Sequence, residues 1–278
     1  MPPDFASIPM NFGKRFRVEP GHKVKLSQFD PDDTAGFKNK SEAKNLLEKN
    51  VSRLSDLQYL LYAENKRALL IVLQAMDAGG KDGTIRHVMS GVNPQGCSVT
   101  SFKVPSAEEA SHDFLWRIHK AVPARGYIGI FNRSHYEDVL IVRVHGLVLK
   151  SVWEQRYGQI NAFERILADD NVTILKFFLN ISKDEQKARL KSRLKDADKN
   201  WKISPADIDE RKYWDDYMKA YEDALTRCCT DWAPWYIIPA NGKWFRNLAV
   251  SQIIVETLER FDMKFPPPAH DLSKIVVK

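Results

Sequence analysis

A short glycine-rich turn with one lysine directly follows the most apolar segment of the chain. Residues 69–84 read LLIVLQAMDAGGKDGT. Small residues let backbone N–H groups close around phosphate oxygens, and a helix that begins at the turn adds the positive end of its dipole. We therefore predict a phosphate site that is lined by Gly79, Gly80, Lys81, Asp82 and Gly83.

This turn departs from the Walker A pattern G-x-x-x-x-G-K-[ST] at two positions. Ala75 replaces the first glycine, and Asp82 replaces the hydroxyl residue that binds Mg²⁺. Asp77 adds a carboxylate inside the loop, where it would repel phosphate unless a cation lies between them. Asp77 is therefore a candidate Mg²⁺ ligand, with an Asx turn as the alternative, while Asp82 also suits the start of a helix. The departures indicate a phosphate site unlike that of a standard nucleoside-triphosphate enzyme.

A second polar group, NRSHYED at residues 132–138, follows another apolar segment. In P-loop enzymes an acidic residue at the end of the neighbouring strand holds Mg²⁺, but here that place is taken by the neutral Asn132. Glu137 can supply the missing charge, and the Arg133 guanidinium has a fork geometry that suits phosphoryl oxygens. An ordinary helix start with Ser and Glu caps is the alternative.

Basic residues are concentrated in the segment from Lys187 to Lys202. Arg189 and Arg193 are four residues apart, so a helix would place them on one face. Basic side chains on a mobile segment would form a lid that stabilises the charge of phosphates during transfer. A solvated basic face is the alternative. Lys103, near a predicted strand end, is a further candidate for contact with polyphosphate.

The pattern of apolar residues predicts the elements that must position these side chains. Short apolar runs predict strands at residues 68–75, 98–104, 126–131, 171–179 and 235–239. Helical spacing predicts helices at residues 41–66, 84–91, 106–122, 152–167, 182–194, 207–226 and 247–261. Capping boxes are expected at Ser106 and Ser182. Strands that alternate with helices predict an α/β fold with a parallel sheet.

The chain shows no internal repeat and no low-complexity linker, so we predict one domain over residues 1–278. Its polar and basic first part, residues 1–45, is expected to be an arm that packs on the main body. A lid is expected at about residues 189–210, and a proline-containing strap at residues 263–278.

Composition narrows the class of protein. The chain has 278 residues, of which 44% are hydrophobic, and no apolar stretch is as long as a transmembrane helix, which needs about 20 residues. The three cysteines fit neither a disulfide framework nor a zinc site. With no signal-peptide pattern, a cytoplasmic protein is expected. A formal net charge of +6 suits a polyanionic partner, although a basic enzyme of another kind has the same balance.

These motifs together resemble the polyphosphate kinase type 2 family, from about residue 15 to residue 262. The resemblance rests on AMDAGGKDG at 75–83, FNRSHYEDV at 131–139, and Arg189, Arg193 and KNWK at 199–202. GVNPQG at 91–96 and WYIIPA at 235–240 add to it. The resemblance implies a P-loop-kinase-like, three-layer α/β/α fold with a helical lid.

The resemblance also implies an activity. Asn132 with Glu137 resembles the third class of the family rather than the first, which carries Asp-Arg-Ser at the strand end. That class transfers phosphoryl groups from inorganic polyphosphate to both AMP and ADP, reversibly and with Mg²⁺, for which Mn²⁺ is a substitute. The expected partners are polyphosphate and adenine nucleotides, or guanine nucleotides as a second acceptor class, in a homo-oligomer that is a dimer or a tetramer. Neither nucleic acid nor membrane is expected.

By position, the resemblance gives each candidate residue a role. Asp77, Lys81, Arg133 and Glu137 are the expected catalytic residues, and Asp77 and Glu137 are the expected metal ligands. Asn93, Asn132, Arg133 and Glu137 are expected to bind the nucleotide. Lys103, Arg189 and Arg193 are expected to contact polyphosphate.

Two other functions stay open at this point. An ATP-dependent nucleoside monophosphate kinase would have a similar fold, but it predicts Ser or Thr at the position of Asp82. A nucleic-acid-binding module would explain the basic and aromatic residues, but it leaves Asp77 and Glu137 without a role. A swap of phosphoryl donors separates the first alternative from the favoured function.

Overall fold

Five parallel strands form the centre of the fold in the computed structural model, which describes residues 11–275 and 277. The strands are β1 Ala68–Gln74, β2 Cys97–Ser101, β3 Ile128–Asn132, β4 Val172–Asn180 and β5 Trp235–Pro239. Their order in the sheet is β2-β3-β1-β4-β5, with β1 at the centre. Because all neighbouring pairs are parallel, the carboxyl ends of the strands lie along one edge. This edge carries the glycine-rich turn.

Helices flank the sheet. They are α1 Phe12–Phe16, α2 Lys40–Glu64, α3 Lys81–Val88, α4 Ala107–Ser111, α5 Trp116–His119, α6 Ile141–Val144, α7 Lys150–Asp169, α8 Lys183–Lys195, α9 Pro205–Asp209, α10 Trp214–Arg227 and α11 Lys243–Glu259. Helices α2, α3 and α11 pack together, while α7 packs on β4. Every residue of β1 is buried, which is typical of a parallel strand covered on both faces. The predicted three-layer, P-loop-kinase-like α/β fold is confirmed.

The start and the end of the chain pack on the main body to different extents. Phe12 and Phe16 are buried, and each ring lies edge-on to Phe245, with centroids 6.0 and 5.9 Å away. The predicted arm at residues 1–45 therefore contributes to the core from residue 11 onward, while residues 1–10 lie outside the described part. In the predicted C-terminal strap, Phe265 is exposed and packs against Tyr59; residues 276 and 278 lie outside the described part.

Several predicted helices have different bounds in the structure. The predicted helix at residues 106–122 is wrong, because the chain forms two short helices, α4 and α5, on either side of a break at residues 112–115. The predicted helix at residues 207–226 is divided into α9, a 3₁₀ segment at Glu210–Tyr213, and α10. The last helix begins at Lys243 rather than at residue 247, and α3 begins at Lys81 rather than at residue 84.

The two predicted capping boxes have different outcomes. At the start of α4, Ser106 accepts a hydrogen bond from the Glu109 N–H, and Glu109 accepts one from the Ser106 N–H, so the box is complete. At the start of α8, Ser182 accepts from the Glu185 N–H, but the Glu185 carboxylate pairs with Arg189 instead of the cap. The second box is therefore only half formed, because the Ser182 N–H donates to the Asn241 Oδ1 atom at 2.9 Å and the Glu185 carboxylate pairs with Arg189.

The sequence predicts neither disulfide bonds nor a membrane-spanning helix. The thiols of Cys97, Cys228 and Cys229 are free. Over the described range, the helices include none with the length and apolar character that a membrane crossing requires.

Candidate active site

The glycine-rich turn joins β1 to α3, and its shape depends on small residues. Gly80 begins α3 with a positive φ of 105°, a conformation that glycine adopts without a steric cost. A Cβ atom on Gly79 would lie 2.5 Å from the Ala75 Cβ atom and 2.8 Å from the Met76 carbonyl oxygen. Ala78 also has a positive φ, of 60°. The turn therefore places the backbone closer to itself than larger residues would allow.

Lys81 lies at the first position of α3 and points back over this turn. Its Nζ atom donates a hydrogen bond to the Ala75 carbonyl at 3.0 Å, and the side chain is buried. Burial lowers the pKa of Lys81, and Arg133 lowers it further, while nearby carboxylates act in the opposite direction. The first N–H groups of α3 have no partner within the helix. An anion at this place would therefore meet one buried cation and several free N–H donors.

Arg133 reaches the same turn from the neighbouring strand. Leu73 of β1 pairs with Asn132 of β3, so the residue after β3 lies beside the beginning of the turn. Arg133 has a positive φ of 61°, unusual for a residue with a side chain. Its Nη2 atom is 3.1 Å from the Asp77 Oδ1 atom, and both side chains are partly exposed. The structure thus brings Lys81, Arg133 and Asp77 together, as predicted.

Glu137 lies in a 3₁₀ segment, His135–Val139, directly after Arg133. Burial raises the pKa of Glu137, although Arg133 and Lys81 oppose the shift. Asp77 contributes a second negative charge to the same group and raises that pKa further. Two carboxylates and two cations therefore share one end of the sheet. This is the arrangement that the sequence predicts for the catalytic residues.

Asp82 and Asn132 contact each other rather than lying apart. The Asn132 amide donates to the Asp82 Oδ1 atom at 2.8 Å, and Lys202 Nζ lies 3.5 Å from the other carboxylate oxygen. Burial acts to raise the pKa of Asp82, but the Asn132 amide and Lys202 outweigh it, so that the pKa is lowered. The residue at the Walker A hydroxyl position is thus an ionised group that ties α3 to β3 and to the basic segment. Its predicted contact with phosphate stays a prediction.

Arg189 does not lie on an exposed lid, and its predicted place there is wrong. The side chain is buried beneath the turn, and its Nε atom is 2.7 Å from Glu185. Its two Nη atoms donate to four backbone carbonyls, those of Ala78, Gly79, Ala240 and Asn241. All five N–H groups of this guanidinium can be used within the protein. Arg189 therefore holds the turn against the chain that follows β5, and a contact with polyphosphate would require these bonds to break.

Arg193 lies one helical turn further along α8. Its Nη1 atom donates to the Lys202 carbonyl at 3.3 Å. Lys202 ends the 3₁₀ segment Ala197–Lys202, and its ammonium group approaches Asp82. The basic segment from residue 193 to residue 202 therefore lies over the start of α3, at one side of the site. The contact of Arg193 with polyphosphate stays a prediction.

Asn93 lies at the edge of the sheet opposite the glycine-rich turn. It precedes β2, whose first residue, Cys97, is level with Leu69 near the start of β1. The turn follows the other end of β1, at least about 15 Å further along the strands. The Asn93 side chain instead accepts a hydrogen bond from the Gln95 N–H and begins a 3₁₀ turn. Asn93 thus lies away from the turn, and its predicted contact with the nucleotide stays a prediction.

Lys103 and Gly83 lie at the edge that carries the turn. Lys103 follows β2 and is exposed, next to the buried Phe102, whose N–H donates to the Asn132 carbonyl. Gly83 lies in the first turn of α3, and a Cβ atom there would be 3.3 Å from Arg246. The contacts of Lys103 and Gly83 with phosphate stay predictions.

Two residues that support the turn were missed in the sequence. Gln186 donates from its Nε2 atom to the Asp77 carbonyl at 3.0 Å. Arg246 is buried next to Gly80, where a Cβ atom would collide with its guanidinium. Burial and the nearby Arg189 lower the pKa of Arg246 to about 10. Gln186 is three residues before Arg189 and shares its helix face, which was an available signal. The sequence held no such signal for Arg246, because its helix was predicted to begin after it.

Glu137 and Asp138 offer a matched pair of acidic variants. Asp138 already has a partner, since Arg156 donates to both its carbonyl and its carboxylate, at 3.0 and 2.9 Å. Glu137 instead faces Lys81 and Arg133. We therefore expect Glu137→Gln to lower kcat by about a hundredfold, as for loss of one charged group at a reacting centre, and Asp138→Asn to lower it by less than about threefold.

Steady-state kinetics on both purified variants, with circular dichroism to verify the fold, measure this ranking. A larger loss of kcat in Asp138→Asn than in Glu137→Gln would move the acidic role by one residue along the chain.

Sequence comparisons find a family model and named relatives that are similar to this chain. Residues 37–266 match the model of the family described as Polyphosphate kinase 2 (PPK2). An AMP/ADP-polyphosphate phosphotransferase of Meiothermus ruber is 53% identical over 95% of this chain and 100% of its own length. An ADP-polyphosphate phosphotransferase of Rhodopseudomonas palustris is 50% identical over 91% of this chain and 92% of its own.

A solved structure gives the same result for the fold. The crystal structure of polyphosphate kinase 2 from Arthrobacter aurescens TC1 is similar to this chain with a TM-score of 0.90 and 46% sequence identity. The similarity covers 94% of each chain. From its motifs, its fold and these relatives, the chain belongs to the polyphosphate kinase 2 family.

Proposed function

We propose that the protein transfers the terminal phosphoryl group of inorganic polyphosphate to AMP and ADP, forming ADP and ATP, and that the reaction is reversible. The observation that carries the proposal is the group formed by Lys81, Arg133, Asp77 and Glu137 at the carboxyl ends of β1 and β3. Ligands of open parallel sheets bind at this edge. Relatives named as polyphosphate phosphotransferases support the donor and the acceptors.

The chemistry requires positioning and charge stabilisation rather than a protein nucleophile. An oxygen of the acceptor's terminal phosphate is already anionic and attacks the terminal phosphorus of the chain. One P–O bond forms to the nucleotide, one P–O bond to the chain breaks, and the shortened polyphosphate leaves with the bonding electron pair. Lys81 and the α3 N–H groups would bind the phosphate oxygens from one side, and Arg133 from the other.

Asp77 and Glu137 fit the requirements of Mg²⁺, with Mn²⁺ as a substitute. Magnesium is usually held by one or two carboxylates together with substrate phosphates, rather than by a complete protein cage. Within residues 11–275 and 277 no group of three or more His, Cys, Asp and Glu side chains is suited to hold a metal alone. Two carboxylates that face Lys81 and Arg133 are therefore the donors we propose. The ion would neutralise charge on the transferred phosphoryl group.

The experiment that tests the proposal supplies AMP and ADP separately, each with polyphosphate and Mg²⁺, and measures ADP and ATP by chromatography. We expect product from both acceptors. Separate acceptors are needed because the names of the two relatives differ: one names AMP and ADP, the other ADP alone. ATP in place of polyphosphate is the control donor. Transfer from ATP to AMP with no product from polyphosphate would show a nucleoside monophosphate kinase instead.

Further properties belong to the same proposal. We expect a cytoplasmic homo-oligomer, dimeric or tetrameric, that uses adenine nucleotides and accepts guanine nucleotides as a second class. Neither nucleic acid nor a membrane is expected to be a partner. The net charge of +6 suits a polyanionic substrate, so the rate should fall as salt screens that attraction.

A further inference from the structure

A fully buried ion pair lies directly behind the segment that carries Arg133 and Glu137. Lys176, in the middle of β4, is 2.6 Å from Glu164 of α7, and neither side chain is exposed to solvent. Burial of a charge is costly unless the charge is paired and its hydrogen bonds are satisfied. A buried pair of this kind is poor evidence for stability, so its effect on its neighbours is the informative question.

The pair is connected to the segment by hydrogen bonds. Lys176 Nζ donates to the Tyr136 hydroxyl at 2.8 Å and to the Cys228 carbonyl at 2.6 Å, so its three N–H groups all have acceptors. The Tyr136 hydroxyl donates to Glu164 Oε1 at 2.9 Å. His135 Nε2 lies 3.3 Å from the same oxygen. Lys176 and His135 outweigh the effect of burial and lower the pKa of Glu164, which keeps the carboxylate ionised.

The side chains of residues 133–137 point in two directions: some contact the Lys176–Glu164 ion pair, and the others face the site. His135 and Tyr136 are buried and point to Glu164, while Arg133 and Glu137, on either side of them in sequence, face the site. Ser134 completes the attachment, because its hydroxyl accepts from the Gln74 amide at the end of β1, at 3.0 Å. The two functional side chains are thus held by three residues that lie between them.

Other elements meet at the same point. Trp235 of β5 packs edge-on to the Tyr136 ring, with centroids 4.7 Å apart, and Lys176 Nζ is 5.2 Å from the Trp235 ring. Through Cys228 the pair also holds the end of α10. A displacement of the Tyr136 hydroxyl would therefore be opposed by α7, β4 and β5 together.

From these contacts we infer that Lys176, Glu164 and Tyr136 are positioning residues for phosphoryl transfer, which fix the backbone between Arg133 and Glu137. This inference rests on the proposed function for its kinetic test, but its structural test does not. Catalytic groups that are misplaced by about 1 Å can lose about a hundredfold in rate. The network formed by Lys176, Glu164 and Tyr136 would hold the backbone of this segment in position from its buried side.

Tyr136→Phe tests the inference by removing one hydroxyl and retaining the ring. Tyr157→Phe is its matched control: Tyr157 is an equally buried tyrosine on α7, and its hydroxyl accepts a hydrogen bond from Arg143 at 3.1 Å, whereas the Tyr136 hydroxyl bonds to Glu164 and Lys176. We expect kcat to fall about tenfold in Tyr136→Phe, with KM for each substrate changed by less than about twofold. In Tyr157→Phe we expect wild-type kcat. Equal values of kcat in the two variants would overturn the inference.

Hydrogen exchange gives a readout that does not require activity. Amides of residues 132–138 should exchange faster in Tyr136→Phe than in the wild type and in Tyr157→Phe, because the attachment of the segment is weakened. Unchanged exchange in this segment would reject the positioning role, whatever the substrate proves to be. Absence of transfer from polyphosphate in the wild type would instead reject the proposed function.

A double variant separates positioning from stability. Glu164→Leu with Lys176→Met replaces the ion pair by apolar side chains of similar volume, which is often neutral for stability, whereas removing one partner leaves a buried charge. We expect a kcat about tenfold lower at temperatures where the variant is fully folded, since Tyr136 and His135 lose their anchor. We also expect a lower Tm than that of the wild type, because the buried Tyr136 hydroxyl and Cys228 carbonyl lose their partners. A stable double variant with wild-type kcat would show that the segment does not need the pair.

Discussion

Lys81→Ala is expected to lower kcat about a thousandfold, which corresponds to about 4 kcal/mol of transition-state stabilisation. The Lys81 ammonium is held at the mouth of the turn by one hydrogen bond to Ala75, next to the free N–H groups of α3. The measurement is steady-state transfer from polyphosphate to ADP, with circular dichroism to verify the fold.

The same variant should not lose thermal stability. Burial and Arg133 lower the pKa of Lys81, which means that the folded protein disfavours the charged form. Removal of the ammonium relieves this cost, so Tm should equal or exceed that of the wild type, as in many active sites where function is maintained against stability. Lys44→Ala is the control, because Lys44 is an exposed lysine of α2 whose partner is Glu48. Wild-type turnover in folded Lys81→Ala would remove Lys81 from the mechanism.

Arg133→Ala is expected to lower kcat by about a thousandfold as well, as for loss of an arginine that neutralises a phosphoryl group in flight. Arg133→Lys should recover only part of the rate, because an ammonium group cannot bind two oxygens with the fork geometry of a guanidinium. The positive φ of Arg133 aims the side chain at the turn, where it meets Asp77. Kinetics with AMP and with ADP measure the loss for each acceptor.

Arg133→Ala should lower the thermal stability of the protein, whereas Lys81→Ala should not. Burial acts to lower the pKa of Arg133, but Glu137 and Asp77 outweigh it and raise the pKa, so the folded protein favours the cation. Without it the two carboxylates repel each other, and we expect Tm to fall by about 2–4 °C. Arg125→Ala is the control, since it breaks an arginine–aspartate pair, with Asp170, near the start of β3. If Arg125→Ala lost as much activity as Arg133→Ala, the loss could not be assigned to the role of Arg133 at the site.

Local chemistry explains which parts of the fold could be predicted. Strand β1 is an unbroken apolar run, and the turn after it holds two adjacent glycines, so both the strand and the start of a helix follow from residue type. The helix at residues 106–122 failed because the apolar residues after Ser111 bury themselves around a bend rather than along one helical face. Propensity is a weak guide where packing decides the path of the chain.

Some residues of the candidate site could also be placed from the sequence, and others could not. The structure brings Asp77, Lys81, Arg133 and Glu137 together because each follows a recognisable strand, and the carboxyl ends of parallel strands meet at one edge. Their catalytic roles stay predictions. Arg189 was misplaced because a basic helix face has the same sequence whether it points to solvent or under a loop. Asn93 precedes the strand predicted at residues 98–104, so its distance from the turn could already be read from the predicted strands.

The sequence by itself determined the class of fold, the glycine-rich turn and the charged residues predicted to carry the chemistry, because these depend on short-range spacing and on residue type. Only the tertiary structure decided which of the charged residues meet at the turn and which are buried in support of it. Arg189, Arg246 and the pair of Lys176 with Glu164 are ordinary charged residues in the sequence. Their roles depend on burial and on partners far away in the chain, and neither can be read from local spacing.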